Sequence, residues 1–534
     1  MCEKLSDVDL ATPVDSPSVA DSRANDRVRA RNPWRWAAMA AAGLVVSSAA
    51  CTLLLDRSAT QCASDSDCSK FGAHPYCVNS VCVDSGLGPD PCFFGTPKEQ
   101  QDFENQCTTS YFAAYDNCKL IKLCPGTADP PLMPPPTPDA GTSVAPSAID
   151  GGDGGLPNCI DPASGRGPEQ VLIMTGSSNF PPLLSKLAPL VIAPDGGSPT
   201  GPIPIFQVTN SCTGVKAVVN SVAIHDPATA AQKYAAFFNA DGTQTPCLLG
   251  GSVPVDLGES DIYATTCGVT VPTDVVSEHS GPIQAMAFVV PENSTQRSIS
   301  AEAAREVFGM GGNGGVAKPW TDPNYYYVRN VNTGTQQMIG LAIGVPADKF
   351  WGTDEGSALA VDQALKTTGN TEAAIGIISV DWYDLERGNL NALAFQATGQ
   401  EVGFLPDSTI DSTDKQNVRD GHYPIWGPIH FLTSNSISSA AVAFLSTVDV
   451  PNLPKSVADA YIGASLVPPC AMNVQRTTEL GPLSAAGPHF HCDCYFESKQ
   501  AGGVPPECVP CDKVTNPCSK APRLACNYNF CEVQ

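Results

Sequence analysis

The sequence predicts an α/β domain flanked by small disulfide-rich modules. Three observations point there. From about residue 165, short apolar runs alternate with segments of helical spacing, the pattern of a sheet covered by helices. Most of the 22 cysteines stand in two dense blocks towards the ends of the chain. A stretch rich in Pro, Gly, Ala and Asp separates the first block from the alternating region.

At 534 residues the chain exceeds one ordinary domain and can bury a sizeable core with appendages. Its formal net charge of -24 repels a phosphate backbone, so nucleic acid is excluded as a partner. A small anion is not excluded. Surface charge is screened within about 8–10 Å at physiological salt, and an anion site can be made locally from backbone N–H groups, hydroxyls and one arginine. The cysteine content fits an oxidising compartment.

Residues 1–50 read as a lipoprotein-type signal segment. Arg27, Arg29, Arg31 and Arg35 precede an apolar run over 37–46, and Ser47-Ser48-Ala49-Ala50 leads into Cys51. Cys51 is the expected lipidation site, which would tie the chain to a membrane in the cell envelope of a bacterium, on the periplasmic or the outer side. An uncleaved helix over 37–55 or plain secretion are the alternatives, and all three put the remainder outside the cytoplasm. Leaving out Cys2 and Cys51, twenty cysteines remain, an even number as a closed disulfide set requires.

Residues 51–124 are expected to form a Cys-rich disulfide module, with eight cysteines between Cys62 and Cys124 and a helix somewhere over 98–123. Residues 125–158 form a Pro/Gly-rich linker, extended in its first half and flexible in its second. Residues 471–534, with Cys470 just ahead, form a C-terminal Cys-rich module; zinc is the alternative to disulfides in both blocks. Four cysteines are left for the central region 159–470: Cys159, Cys212, Cys247 and Cys267.

Within that region VLIM at 171–174 reads as a buried strand and PPLLSKLAPLV as the helix after it. MAFVV at 286–290, AIGIISV at 374–380 and NALAF at 391–395 are strands. SAEAAREVF at 300–308 is a helix opened by Ser300. GMGGNGG at 309–315 resembles a phosphate loop but lacks the Lys-Ser/Thr that completes one, and reads as an exposed turn.

Four motifs in order, TGSSNFPPLL (175–184), SCTGVKAV (211–218), VDLGESD (255–261) and RNVNTGT (329–335), resemble the "GAGATFP", "SSGGVKQ", "VDFGASD" and "RxDGSGT" segments of the phosphate-binding proteins of ABC uptake systems, which are type 2 periplasmic binding proteins. The resemblance covers roughly 165–470. It implies two α/β lobes joined by two crossover segments, lobe one over about 165–282 and again 393–470, lobe two over about 283–392, closing on an anion.

The same resemblance implies the ligand set: Asn179, Phe180, Ser211, Asp261, Arg329, Thr333, Gly334 and Thr335. The chemistry agrees with it. Helix starts offer N–H groups to an anion, Thr333-Gly334-Thr335 lets backbone approach closely, and Arg329 is a permanently charged fork. Asp261 is the informative member. Hydrogen phosphate brings a proton for this acceptor and sulfate does not, so a carboxylate here favours phosphate. Asn179 replaces a threonine of the family. About thirty additional residues lie between Ser211 and Asp261, and Cys247 within them is expected to bridge to Cys212 or Cys267.

No nucleophile elbow, H-E-x-x-H or histidine set is present in the sequence, so no enzyme, cofactor or metal is expected. The implied function is capture of inorganic phosphate or a related oxoanion for uptake through an ABC permease. The alternative is a non-transport surface protein, a scavenger, sensor or adhesion module, on an anion-binding fold.

Overall fold

The computed structural model describes residues 76–78, 81–83, 89, 92, 93, 95–135 and 155–533, except 195, 228–233, 313–314, 488–489, 501–502, 506–507, 513–517 and 519–522. The expected signal segment, Cys51, Cys62, Cys68 and residues 136–154 of the linker lie outside the described residues. The chain divides into two compact units, 1–86 and 87–534. In the first, Tyr76–Val78 pairs antiparallel with Val81–Val83.

The second unit is mixed α/β, built on an eleven-stranded sheet. In chain order its strands are β1 (Val171–Gly176), β2 (Ile203–Val208), β3 (Ala235–Phe238), β4 (Gln244–Cys247), β5 (Leu257–Ser260), β6 (Val276–Pro291), β7 (Tyr326–Val328), β8 (Thr353–Asp354), β9 (Ile375–Ser379), β10 (Leu390–Ala392) and β11 (Trp426–Ser434). The spatial order is β8-β7-β9-β6-β11-β5-β1-β2-β3-β4, with β10 also on β6. The long strand β6 uses its first part, from Val276 to Ala285, against β11 and its last part against β9 and β10. Two wings of sheet therefore meet along β6 and β11. In the first wing β1 is parallel to β2 and β5; in the second β7 is parallel to β8 and β9.

Helices cover these strands: α1 (Phe180–Ile192), α2 (Ser211–Val219), α3 (Ala301–Met310), α4 (Gly334–Ala342), α5 (Ala358–Thr367), α6 (Val380–Leu385), α7 (Ser439–Val448) and α8 (Lys455–Gly463). The strands are apolar runs without alternation because helices bury both faces; β1 and β9 are buried at every position. α1 begins with Pro181 and Pro182, whose missing N–H groups cost a helix nothing in its first turn. It buries Leu183, Leu184, Leu187, Ala188 and Val191, one stripe at helical spacing. Ser300 opens α3, as its sequence signal predicts, accepting from Ala303 N–H.

Parts of both cysteine-rich flanks belong to this unit. Phe112–Ala113 pairs with Gly403–Phe404, and Phe103, Tyr115 and Ile121 join the main core. At the C-terminus Cys492, Tyr495 and Phe496 join the same core. Among the described residues the disulfides are Cys92–Cys107, Cys118–Cys124, Cys159–Cys247, Cys212–Cys267, Cys470–Cys492, Cys494–Cys508, Cys511–Cys526 and Cys518–Cys531. No helix among the described residues is long and apolar enough to cross a membrane.

Three expectations need correction. Cys247 bridges to Cys159, not to Cys212 or Cys267. Cys159 is drawn alongside β4 by a backbone bond from its N–H to Leu248 O, whereas Cys212 and Cys267 pair with each other beneath α2. The additional residues ahead of Asp261 include the β3–β4 hairpin, at the outer edge of the first wing. The glycines from 309 to 312 are not an exposed turn. Gly311 ends α3 in the left-handed conformation, and Trp351 and Tyr326 pack where side chains at Gly311 and Gly312 would stand. NALAF divides, Leu390–Ala392 joining β6 and Ala394–Gln396 a smaller sheet with Ser298–Ser300 and Gly403–Phe404.

Candidate functional site

The three loops that follow β1, β2 and β5 and the loop that follows β7 converge where the wings touch. Close backbone packing draws them in. Gly258 of β5 and Gly214 of α2 face each other so tightly that a Cβ on Gly258 would lie 2.3 Å from Gly214 O. Asn210 caps α2, accepting from Thr213 N–H at 2.9 Å. Together these fix Ser211, the first residue of α2, beside Asp261, which directly follows β5.

Asp261 is 1% exposed. Its Oδ2 accepts from Ser177 Oγ at 2.6 Å, Ser211 Oγ at 3.2 Å and Asn179 Nδ2 at 3.4 Å. Its Oδ1 has no partner. Burial pushes its carboxyl above the ordinary aspartate value, while the Ser177 and Ser211 hydroxyls and the Arg329 charge pull it back.

The second wing meets this cluster through α4. Gly334 N–H donates to Ser211 Oγ at 3.1 Å, and Cys212 N–H donates to Asn332 O at 3.1 Å. A side chain at Gly334 would collide with Asp261, its Cβ standing 2.7 Å from Asp261 Cβ. Thr333 is used locally: its Oγ1 caps α4, donating to Asn330 O and accepting from Gln336 N–H. Thr335 is fully buried and its hydroxyl has no partner.

Arg329, 1% exposed, is set by a bond from its N–H to Gln336 Oε1 at 2.9 Å. Its Nη2 donates to Ser178 Oγ across the wings at 3.1 Å, and its Nε and Nη1 have no partner. Burial lowers its pKa to about 10 against the pull of Asp261, Asp354 and Asp381, so it is charged at neutral pH. Phe180, also among the predicted residues, starts α1. Its ring packs in the core against Phe206 and Phe431, and its N–H donates to Ser177 O within the turn.

Sequence reasoning missed Ser177, Ser178 and Glu259. The first two stand inside the TGSSNFPPLL motif, and their two hydroxyls were the available signal. Glu259 is 0% exposed, and its Oε2 accepts from Ser177 N–H at 2.6 Å.

Asp261, Asp354 and Asp381 act on Arg329, and Glu259 and Glu479 act on Asp261, but burial keeps part of this acid protonated. Burial raises Glu259 well above its ordinary value, Glu479 to about 8 and Asp381 to about 6. Groups so shifted hold protons where exposed acids have lost them. The arrangement can grip a small tetrahedral anion with N–H and O–H donors while accepting one proton from it at Asp261. A cavity of about 490 Å³ lined by Tyr263, Trp426, Met472 and Arg476 lies elsewhere, and Arg476 there also has two nitrogens without partners. As for metal ligands, the sulfurs of Cys511, Cys518 and Cys531 lie within 4.8 Å of one another, but all three are in disulfides.

No family model matches the chain, and no curated protein does. Among solved structures it is similar to a putative phosphate ABC transporter substrate-binding protein with bound phosphate from Clostridium perfringens, at 12% identity and TM-score 0.38, covering 56% of this chain and 99% of that one. An ABC-type phosphate transport receptor from Vibrio cholerae gives 14%, 0.37, 56% and 100%. Corynebacterium glutamicum OxyR with hydrogen peroxide bound gives 9%, 0.30, 55% and 65%. Likenesses this slight assign neither ligand nor role to this chain.

Proposed function

We propose that this chain binds phosphate, as a tetrahedral oxoanion held between two lobes, and is an exported solute-binding protein rather than an enzyme. One observation carries the reading. Two N–H-bearing nitrogens of Arg329 and the Thr335 hydroxyl are buried without partners, together with an Asp261 oxygen that also lacks one. A buried polar group left unpaired costs about 1–3 kcal/mol, more if charged. A ligand offering several acceptors and one proton would satisfy all of them at once. Phosphate at neutral pH is such a ligand, and sulfate lacks the proton.

The two wings would act as lobes, hinged where β6 and β11 run from one to the other. Donors on both sides would then meet the anion only in the closed arrangement, Ser211, Asn179 and Asp261 from the first lobe, Arg329 and Thr335 from the second. The signal pattern ending at Cys51 and the disulfides support a lipid-anchored protein of the bacterial cell envelope, and an ABC permease is the partner in keeping with it. The cysteine-stapled flanks, packed on the core, favour a second reading, a surface scavenger or sensor that uses the same anion site without transport.

Titration calorimetry of the oxidised protein with phosphate, and with sulfate as competitor, tests the reading. A dissociation constant near or below ~1 µM, about 8 kcal/mol, without response to sulfate is expected. Failure to bind either anion rejects it.

A further inference from the structure

Glu259 is a buried acid that the anion reading leaves without a task. It stands two residues before Asp261 at the end of β5, so both side chains leave the chain on one face. Room is made for it: a Cβ on Gly176 would stand 2.4 Å from Glu259 Oε2. That oxygen accepts from Ser177 N–H, while Oε1, like Asp261 Oδ1, is buried without a hydrogen-bond partner. Ser177 bridges the two carboxyls, its N–H donating to Glu259 Oε2 at 2.6 Å and its hydroxyl to Asp261 Oδ2 at 2.6 Å, and each carboxyl acts on the other. The "VDFGASD" segment that this stretch resembles has alanine in this place, so the pair belongs to this chain.

We propose that Glu259 is a specificity-determining residue: it carries a proton, donates it in a hydrogen bond to Asp261, and thereby keeps Asp261 the carboxylate that accepts a proton from hydrogen phosphate. The proposal rests on the phosphate reading above.

Two adjoining carboxylates in a dry site cannot both ionise, so one proton stays in the pair. The surroundings decide where. Glu259 has one N–H donor and the Asp261 charge against it, and is pushed well above its ordinary value. Asp261 has the Ser177 and Ser211 hydroxyls, Arg329 and the Glu259 hydrogen bond in favour of its charge. The proton therefore sits on Glu259. Asp261 Oδ2 accepts from Ser177 and Ser211, with Asn179 at the long reach of 3.4 Å, which leaves Oδ1 for Glu259 and the ligand's proton. Without Glu259 the burial of Asp261 remains and one donor is gone, so Asp261 takes up a proton at higher pH. A protonated Asp261 donates instead of accepting, and sulfate no longer meets an unpaired like charge. The other charged groups acting on Asp261 are Arg329 after β7, Asp381 on α6 and Glu479 in the segment after β11. All are unchanged in Glu259 variants, so a comparison at each pH isolates Glu259.

The experiment is sulfate-against-phosphate competition calorimetry on the oxidised chain across about pH 5–8. In Glu259→Ala the preference for phosphate at neutral pH is expected to fall by about tenfold or more, and to fade at a higher pH than in the unmodified protein. Glu259→Gln keeps an oxygen for Ser177 N–H and gains an N–H for Asp261, so its preference should persist to lower pH. Profiles of the unmodified protein and Glu259→Ala that superimpose while both bind phosphate overturn the proposal. Should Glu259→Ala fail to fold, the near-isosteric Glu259→Gln decides by the direction of its shift. Infrared difference spectroscopy of the anion-free protein separates this idea from its parent. A protonated-carboxyl C=O band at neutral pH, lost in Glu259→Gln, upholds the pair whether or not phosphate binds, and its absence rejects the pair.

Discussion

Two clusters of buried charge in this molecule differ in one respect. Around Asp407 every charge is answered. Lys415 Nζ donates to Asp384 Oδ2 at 2.8 Å and Asp407 Oδ1 at 3.0 Å, and Arg387 Nη2 reaches Asp384 Oδ1 at 2.6 Å and Asp407 Oδ2 at 2.5 Å. Around Asp261 the charges are answered in part, with Arg329 Nε and Nη1 and Asp261 Oδ1 left over. The first cluster is complete and holds chain segments together. The second is incomplete in a way that an anion would complete. Burial of charge alone does not mark a site; burial with valence left unused does.

That contrast breaks most directly with one substitution in each cluster. Arg329→Ala should abolish detectable phosphate binding, a loss of about 4 kcal/mol or roughly a thousandfold, with native circular dichroism. Lys415→Ala should do the reverse, costing about 3–5 kcal/mol in chemical denaturation by leaving two buried carboxylates to Arg387 alone, and sparing phosphate affinity in whatever fraction stays folded. If Arg329→Ala destabilised as much as Lys415→Ala and left binding intact, the two clusters would be of one kind.

Replacing both Cys212 and Cys267 by alanine should cost about 2–4 kcal/mol of stability. Because Cys212 adjoins Ser211, phosphate affinity should fall too, whereas removing the pair Cys159 and Cys247 should lower stability alone. Equal effects of the two pairs on calorimetric affinity would count against a site anchored by α2.

Thr335→Val sharpens the comparison further. The buried hydroxyl has no partner, so the anion-free protein should be unchanged or slightly more stable while affinity drops by about 1 kcal/mol. The smallest effect concerns pH. Asp381 is raised from 3.8 to about 6, first by burial. Its contribution to stability is therefore fully present below the unfolded value and is lost as pH rises through about 6. Asp381→Asn should remove that decline from the stability profile, and an unaltered slope between these values would contradict the shift.

What the sequence disclosed divides by range. The strands and helices of the central region are visible because each is a local pattern, as in VLIM followed by a helix that opens on two prolines. Asp261, Ser211 and Gly334 could be singled out because each lies in a short motif at a strand-to-helix turn. The partner of Cys247 was not legible, since four cysteines allow three pairings and the choice depends on where Asn158 and Leu248 meet. The packing of the Phe180 ring against Phe206 and Phe431 likewise depends on remote partners. The roles of Glu259 and Lys415 depend on partners in the folded chain, Ser177 lying 82 positions from Glu259 and Asp384 31 from Lys415. The packing of the first flank on Gly403–Phe404 is equally remote from any local pattern.

The bare α-carbon of Gly334, pressed on Asp261, has a practical consequence. One methyl group there would act as a wedge. On the proposed closure of the two wings, Gly334→Ala would hold them apart while leaving the functional groups of Arg329, Thr335 and Asp261 in place. Small-angle scattering of such a variant, with and without phosphate, would give a reference for the open shape, against which the stroke of the native molecule could be read.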